Sequence, residues 1–381
     1  MTPPTPGLLL TLLSFFLVIG VLVFVHELGH YLAGRWFGVK AEAFSIGFGR
    51  EVAGWTDKRG TRWKVGWLPL GGYVKFKGDM SPASQPDPNW IKMPPEERNA
   101  CFQAKPLWQR AVIVAAGPAI NFLFAILIFA GIFIAIGEPR TTTQLAVVQE
   151  GSPAAVAGLR PGDRILAMGG EPVDRFEDLE TFIRLRPGTQ VDVLAARNGG
   201  TVLLPARIGT RWEEDRFENR FALGYLGISP GQSNFVRLSP LEVPGAAVRA
   251  TWGTLDTMLD ALGQIVTGRR SVRELGGPMK IAQVSGERSS FGWLSLVHWM
   301  ALISINLGFI NLLPVPMLDG GHLVFYAVAA VRRKALSPKT VERAFRGGLA
   351  VMLTLMVMVT VNDLASFGLF RGVAGLIGGA G

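Results

Sequence analysis

The sequence predicts a polytopic α-helical membrane protein with about four transmembrane helices, a membrane-associated β-hairpin or small sheet, and an inserted β-rich domain. Three observations support this fold class. Hydrophobic residues make up 49% of the 381 residues and charged residues only 18%, which is typical of a membrane protein with a soluble portion. Four long apolar segments divide the chain, and a stretch rich in turn residues lies between the second and the third.

The four apolar segments are the candidate membrane spans. The first is uncharged from Leu8 to Val25 and continues as a predicted helix to Phe37. Eighteen residues at about 1.5 Å each extend roughly 27 Å, close to the hydrocarbon thickness of a bilayer. The others run from Ala111 to Ile136, from Phe291 to Leu318, and, in a shorter segment expected to continue to Phe370, from Gly347 to Val361.

Basic residues predict the orientation of these spans. Lysine and arginine are concentrated at 35–64, between the first two segments, and at 332–346, between the last two. Both loops are therefore expected in the cytoplasm, with both termini and the long central region outside. The net charge of +9 fits an anionic inner leaflet. We expect no nucleic-acid partner, because the chain has no DNA- or RNA-binding motif.

The central region has the pattern of a soluble β-rich domain. Glycine and proline turn signals recur between residues 151 and 200, and short β-prone runs such as 164–168 and 190–194 lie between them. After it, 243–266 carries apolar residues at helical spacing. This segment fits either an amphipathic helix on the outer membrane surface or a helix packed on the soluble domain.

These patterns divide the chain into four parts. We predict an N-terminal transmembrane half at 1–138, a β-rich domain at 139–232, an amphipathic linker at 233–290 and a C-terminal transmembrane half at 291–381. A cleaved signal peptide is not expected, because the N-terminus has no basic region and no small-residue cleavage site follows the first apolar run.

The motif His26-Glu27-Leu28-Gly29-His30 follows the first apolar run directly. Histidines four residues apart share one helical face, so both imidazoles can bind one zinc ion while Glu27 acts as general base on a bound water. The chain has four histidines and one cysteine, so a thiolate cluster is excluded. A catalytic zinc ion usually has three protein ligands, which leaves one to be found.

The third ligand is expected where the third apolar segment ends. Pro314 and Pro316 cannot both lie in a regular helix, and a broken chain at membrane depth is tolerated only beside protein or a water-filled cavity. Asp319 follows this break, and a carboxylate there requires a cation partner. Two alternatives remain open from the residues alone: Asp319 as the N-cap of the next helix, and His322 as the ligand in its place.

Together these residues resemble the site-2 proteases, a family of intramembrane zinc metalloproteases, of the RseP type. The family carries HExxH in its first transmembrane helix and N-x-x-P-x-P-x-L-D-G in its third, and 311–320 matches the second pattern throughout. The resemblance implies one zinc ion held by His26, His30 and Asp319, Glu27 as the catalytic carboxylate, and a substrate contact from Asn311.

Further motifs resemble the same family and extend the match over essentially the whole chain. They are 44–49 with Gly47 and Gly49, the segment 67–75 with Gly71, Gly72 and Tyr73, and 117–122. The resemblance implies a bacterial inner-membrane protein that cleaves single-span membrane proteins, such as anti-sigma factors or signal-peptide remnants, in regulated intramembrane proteolysis.

The first two motifs also have a physical interpretation. A transmembrane helix hides its peptide bonds, so a protease must unwind it before an exposed strand edge can pair with it. Residues 44–49 and 61–76 could form such strands, and their glycines allow close backbone approach. The alternative is a cytoplasmic hairpin with a structural role only.

The central domain resembles a circularly permuted PDZ domain. Its carboxylate-binding loop would be formed by Tyr225, Leu226, Gly227 and Ile228. The chain has room for one such domain, whereas enterobacterial members carry two. We expect this domain to act as a size filter over the outer mouth of the active site, with capture of a substrate C-terminus as the alternative.

Two other functions remain possible on the sequence. One is a membrane metalloprotease of a different HExxH family, with a glutamate or histidine as its third ligand. The other is a non-enzymatic PDZ scaffold, against which the intact Glu27 between the two histidines argues.

Overall fold

The computed structural model describes residues 6–80, 88–184, 186–214, 220–231, 233–267, 277–334 and 336–366. The chain forms two compact units. The first comprises Met1–Ala130, Ala247–Asp260 and Val272–Gly381, and the second comprises Gly131–Ala246 and Ala261–Ser271.

Helices dominate the first unit and strands the second. The α-helices are α1 (Leu8–Trp36), α2 (Pro95–Asn99), α3 (Leu107–Ile136), α4 (Pro153–Val156), α5 (Phe176–Arg184), α6 (Val243–Val266), α7 (Pro278–Ser290), α8 (Trp293–Leu312), α9 (Asp319–Arg332) and α10 (Pro338–Ser366). The strands are β1 (Ala41–Thr56), β2 (Arg62–Phe76), β3 (Glu138–Thr141), β4 (Leu145–Val148), β5 (Arg164–Met168), β6 (Glu171–Pro172), β7 (Gln190–Arg197), β8 (Gly200–Arg207), β9 (Gly209–Glu214), β10 (Arg220–Tyr225), β11 (Ile228–Pro230) and β12 (Ser233–Val236).

Within the described residues, four helices are long and apolar enough to cross a membrane: α1, α3, α8 and, over Lys339–Val361, α10. The prediction of four spans is confirmed. Many of their apolar side chains are exposed, among them Leu9 and Ile134 at 72% and 74%. Exposed apolar surface of this extent fits contact with lipid rather than with water.

The structure corrects the limits of three spans. The second helix begins at Leu107 rather than at Ala111. The third helix ends at Leu312 rather than at Leu318, because Pro314 and Pro316 remove the amide donors that would continue it. The fourth begins at Pro338 rather than at Gly347. There Ser337 Oγ accepts a hydrogen bond from the amide of Thr340 at 3.2 Å and caps the helix. The predicted continuation at 367–370 lies outside the described residues.

Asp363, near the end of α10, caps another helix. Its carboxylate is fully buried and accepts hydrogen bonds from the backbone amides of Gly277, at 3.2 Å, and Lys280, at 3.3 Å. These amides lie at the N-terminus of α7, where a carboxylate satisfies free donors and the helix dipole. Asp363, the acidic residue that follows the fourth apolar segment, therefore connects α10 to α7 through these hydrogen bonds.

Strands β1 and β2 are bent and form a small sheet. Ser45 pairs with Tyr73 on one side and with Lys64 on the other, so 43–46 lies inside the sheet. The inner part of this sheet packs against the C-terminal part of α1 and the N-terminal part of α3, through a core that includes Tyr31, Phe44 and Ile113. The sheet is thereby fixed beside the HELGH turn of α1.

The second unit contains a four-stranded sheet in the order β6-β5-β7-β8 and three two-stranded pairs. Its core includes Leu145, Ile165, Leu179, Val193 and Leu226.

A buried ion pair explains the Arg-Pro-Gly-Asp turn at 160–163 in this unit. Arg197 donates two hydrogen bonds to the Asp163 carboxylate, at 2.8 and 2.7 Å. These hydrogen bonds hold the pKa of Asp163 below its ordinary value. The turn therefore depends on a charge that lies on β7.

Asp79, just after β2, is buried in the first unit. One of its oxygens accepts a hydrogen bond from Gln103 Nε2 at 3.1 Å, and the other has no hydrogen-bond partner. Burial raises the pKa of Asp79 to about 7, although the Gln103 hydrogen bond opposes this shift.

We expect the stability contribution of Asp79 to be lost as pH rises. Its folded-state pKa is raised, so the proton that stabilises the folded state is bound at low pH and released as pH passes about 7. Thermal unfolding in detergent should show the wild-type midpoint falling between about pH 5 and about pH 8 relative to Asp79→Asn. Asp192→Asn, at an exposed position, should leave the wild-type slope unchanged. Parallel slopes for Asp79→Asn and wild type would contradict the assignment.

Candidate metal centre and active-site cavity

The HELGH motif forms one turn of α1. His26 Nε2 and His30 Nε2 lie 3.3 Å apart, and the two rings are nearly perpendicular. Glu27, on the next position of the same turn, is 8% exposed. The turn therefore presents two imidazoles and a buried carboxylate to the same part of the first unit.

Asp319 reaches this turn because the chain reverses between α8 and α9. Leu313 and Leu318 are extended, and Met317 adopts a positive φ of 87°. Asp319 Oδ2 lies 3.2 Å from His26 Nε2 and 3.4 Å from His30 Nε2. The chain break expected at the two prolines thus delivers a carboxylate to the histidine pair.

The two glycines after Asp319 permit this tight reversal. A Cβ atom on Gly320 would lie 2.3 Å from the carbonyl oxygens of Leu312 and Leu313, and one on Gly321 would lie 2.4 Å from that of Val315. No side chain fits at either position. The start of α9 is therefore held against the end of α8 by backbone contact.

These three residues fit a metal ion. Their ligand atoms lie within 4.8 Å of one another, and among the described residues they form the only such group of three or more. Asp319 Oδ2 is buried and makes no hydrogen bond of correct geometry, so this oxygen lacks the donor that burial would otherwise require. Two imidazoles and one carboxylate are a ligand set typical of catalytic zinc. The N-cap alternative for Asp319 is not met, because Leu318 is the N-cap of α9.

Gly117 of α3 lies directly against the histidines. A Cβ atom on it would lie 2.3 Å from His30 Nε2 and 3.0 Å from His26 Cε1. The absence of a side chain on α3 therefore leaves the space in which both imidazoles converge.

The outer nitrogens of both imidazoles also have partners on α3. His30 Nδ1 donates to the carbonyl of Ile113 at 2.9 Å, which leaves Nε2 free to bind a metal. His26 Nδ1 lies 3.0 Å from the amide nitrogen of Asn121, whose buried Oδ1 has no partner. A metal-binding His26 carries its proton on Nδ1, so the Asn121 amide must turn its oxygen to accept it. Ser304 Oγ of α8 donates a hydrogen bond to the backbone carbonyl of Asn121 at 2.8 Å and holds this part of α3 in place.

A cavity of about 380 Å³ opens beside the three ligands. Of the residues expected to contact substrate, Gly71, Gly72, Tyr73 and Asn311 line it. A Cβ atom on Gly72 would lie 3.1 Å from Glu27 Cγ, so β2 passes directly over the catalytic carboxylate.

Gly47 and Gly49 do not line the cavity. Both have a positive φ. A Cβ atom on Gly47 would lie 2.8 Å from the Leu68 carbonyl oxygen, and one on Gly49 would lie 2.3 Å from the Trp67 ring. Their glycine requirement therefore comes from the bend of the sheet.

The segment 225–228 borders a different cavity, of about 720 Å³, in the second unit. The cavity lies between β11 and α5, with Phe176 and Ile183 on the helix side. Arg211 stacks over the Tyr225 ring at 4.6 Å, and Tyr225 donates a hydrogen bond to Gln149. β11 pairs only with β4 among the described strands, so its other edge is free beside this groove.

The HExxH turn on a membrane-spanning helix, completed by a carboxylate from a second segment, defines a membrane metallopeptidase. The chain belongs to peptidase family M50, whose model matches residues 14–355. The expected resemblance to the site-2 proteases is confirmed, and the protein is a zinc-dependent metalloendopeptidase. Membership of this family decides against the two other functions considered above, a metalloprotease of a different HExxH family and a non-enzymatic scaffold.

Curated relatives match over nearly the full length. A protein of Agrobacterium fabrum named "Putative zinc metalloprotease" is 46% identical over 361 residues, covering 93% of this chain and 96% of the relative. A protein of Rhizobium meliloti with the same description is 42% identical over 359 residues, covering 93% and 96%. A metalloprotease of Caulobacter vibrioides, MmpA, is 38% identical over 396 residues, covering 97% and 99%.

Sequence reasoning missed the contacts that α3 makes with the histidines. Asn121 was visible as a polar residue within an uncharged segment, which is a signal for function at membrane depth. Gly117 belongs to the same matched motif. The Ile113 carbonyl has no sequence signal, because any residue supplies one.

Replacement of Gly117 by alanine should weaken zinc binding by about 100-fold, the upper end of the range for changes beside metal ligands. The new methyl group would overlap His30 Nε2. Zinc retained against a graded chelator series measures the change. Gly131→Ala is a matched control on the same helix, because nothing lies within 4 Å of a Cβ atom there. Equal zinc retention in both variants would be inconsistent with this geometry.

Replacement of Asn121 by alanine should lower zinc affinity by about 10-fold to 100-fold, because His26 Nδ1–H loses its acceptor. Asn121→Asp keeps an acceptor and should retain zinc as well as wild type does. Competition with a zinc-binding dye provides the measurement. An alanine variant that binds zinc like wild type would show that the amide does not support His26.

Proposed function

We propose that the protein hydrolyses peptide bonds within or near the transmembrane segments of single-span membrane proteins. The observation that carries this proposal is the place of the ligands. His26 is the nineteenth residue of the 29-residue span α1, about 27 Å along a helix that rises 1.5 Å per residue. The metal centre would thus lie at membrane depth, toward the C-terminal end of α1.

The cavity supports recognition of an extended substrate. Residues 72–75 of β2 pair with β1 on one side and have no second strand partner among the described residues. Gly71, Gly72, Tyr73 and Val74 line the cavity. An unwound substrate segment would add to this edge as a further strand, through backbone hydrogen bonds. Asn311 lines the same cavity from α8 and would contact this segment.

The chemistry follows from the residues around the metal centre. His26, His30 and Asp319 would hold the ion. When bound, zinc lowers the pKa of a water molecule and polarises a carbonyl group. Glu27 accepts the proton of the attacking water and later delivers it to the leaving amine, so that the C–N bond breaks without releasing an amide anion. The strand above Glu27 restricts access of bulk water to this carboxylate.

The substrates we propose are single-span proteins already trimmed on the outer side, such as anti-sigma factors, or signal-peptide remnants. This reaction would be a step of regulated intramembrane proteolysis in a bacterial inner membrane. The basic loops at 35–64 and 332–346 support a cytoplasmic position for the C-terminal end of α1. Both termini and the β-rich domain would then face outside.

We also propose that 139–232 is a single, circularly permuted PDZ-like domain that limits the size of substrates. The groove between β11 and α5, bordered by Tyr225, Leu226, Gly227 and Ile228, supports the PDZ assignment. Its free strand edge leaves the alternative of C-terminus capture chemically possible.

The decisive experiment compares wild type with Glu27→Gln on a tagged single-span substrate in detergent. We expect the variant to lose activity by about 10²-fold to 10⁴-fold, because it lacks the general base. Its zinc content should equal that of wild type, whereas Asp319→Ala should lose both zinc and activity. Cleavage by Glu27→Gln at the wild-type rate would rule out the mechanism, and full zinc content in Asp319→Ala would rule out the ligand.

A further inference from the structure

His322 lies in the active-site cavity but has no assigned role. It lies on α9, three residues after Asp319, and lines the cavity together with Glu27 and the three metal ligands. Residues three apart share a helical face, so His322 and Asp319 project from α9 in the same general direction. The sequence left His322 as an alternative metal ligand.

The geometry separates His322 from the ligand group. Only His26, His30 and Asp319 place ligand atoms within 4.8 Å of one another among the described residues. His322 instead packs edge-on against Phe345 of α10, with ring centroids 5.2 Å apart, and lies 6.4 Å from the Tyr326 ring. Aromatic side chains on two helices therefore fix the imidazole beside the metal centre rather than in it.

This imidazole is also without a hydrogen-bond partner in the described part of the chain. The other two cavity histidines each have their outer nitrogen paired with α3. A half-buried imidazole whose ring is restrained by packing, but whose nitrogens are unpaired, has donor capacity available for a bound molecule.

Peptide hydrolysis creates a need for this donor. As water attacks, the carbonyl oxygen of the substrate gains negative charge, and a fixed N–H donor stabilises that charge more than it stabilises the substrate. Apart from the ligands, the cavity side chains with donor groups are Tyr73, Asn311 and His322. Tyr73 lies on the strand edge that we assign to substrate pairing, and Asn311 lies on α8, whereas His322 shares α9 with a metal ligand.

We propose that His322 is a further catalytic residue, whose neutral imidazole donates a hydrogen bond to the developing oxyanion of the scissile peptide. No proton is transferred in this contact. The proton of the attacking water goes to Glu27 and from there to the leaving nitrogen. The inference rests on the proposed hydrolysis at this metal centre.

The test compares wild type, His322→Ala and His322→Gln as full-length protein in detergent. With unstructured casein as substrate, we expect kcat of the alanine variant to fall by about 10²-fold to 10³-fold, as for removal of one oxyanion donor. KM and zinc content should remain at wild-type values. The glutamine variant keeps an N–H donor and should recover at least part of the lost rate.

A second readout requires no turnover. A phosphonate peptide, which imitates the tetrahedral oxyanion, should bind His322→Ala about 10²-fold more weakly than wild type. His298→Ala is the matched control, because His298 lies on α8 against Phe129 and outside this cavity. This variant should match wild type in zinc content, rate and phosphonate affinity.

The outcomes distinguish this inference from the proposed function. Loss of zinc in His322→Ala would make His322 a ligand, and unchanged kcat or phosphonate affinity would exclude an oxyanion role; either result overturns the inference. Cleavage of casein without cleavage of a single-span substrate would overturn the proposed intramembrane function and leave the His322 comparison intact.

Discussion

The approach of Asp319 to His26 and His30 is the interaction on which the rest of the structure depends. It brings two imidazole nitrogens and a buried carboxylate oxygen together, and that oxygen has no hydrogen-bond partner. Such a group opposes folding unless a cation binds it. The proline break after α8, the glycine pair at the start of α9 and the imidazole contacts on α3 all hold these atoms in place. Metal binding and assembly of the helices are therefore parts of one equilibrium.

Small residues make that assembly possible. On α1, a Cβ atom at Gly29 would lie 2.4 Å from the carbonyl of Ala116. Gly117 gives the histidines room on α3, and Gly72 lets β2 cross Glu27. Helices in lipid associate through close packing rather than through exclusion of water, so small residues determine how near they come. In this protein several such close approaches, at Gly29, Gly72 and Gly117, surround the metal centre.

Much of this architecture could be predicted from the sequence because its signals are local. Apolar length identified the spans, and the HExxH spacing placed two histidines on one helical face. The start of α10 was missed because charged residues at 339–346 look like a loop, although lysine and arginine are good helix formers. The contacts of Asn121 with His26, and of Asp363 with α7, join residues far apart in sequence. No periodicity within one segment reports such contacts.

The resemblance to known proteases implied a single third ligand, Asp319, which the chemistry of the residues alone did not. Residues alone left Asp319 and His322 as competing ligands, and only the folded chain brings Asp319 to the histidine pair. Gly47 and Gly49 were grouped with Gly71 and Gly72 as substrate contacts, yet only the second pair reaches the cavity. The two family motifs therefore contain glycines for two different physical reasons: the bend of the sheet in the first, and close approach to the cavity in the second.

The unpaired edge of β2 has a consequence for which proteins the enzyme can process. A strand edge binds main-chain amides and carbonyls, which every polypeptide carries, so it selects weakly by side chain. The enzyme would then discriminate between substrates by the free energy needed to unwind their transmembrane helix inside the bilayer. Segments with glycine, proline or β-branched residues melt at lower cost than leucine-rich ones. Such an enzyme would select its substrates by the low stability of their transmembrane helices rather than by a recognition sequence.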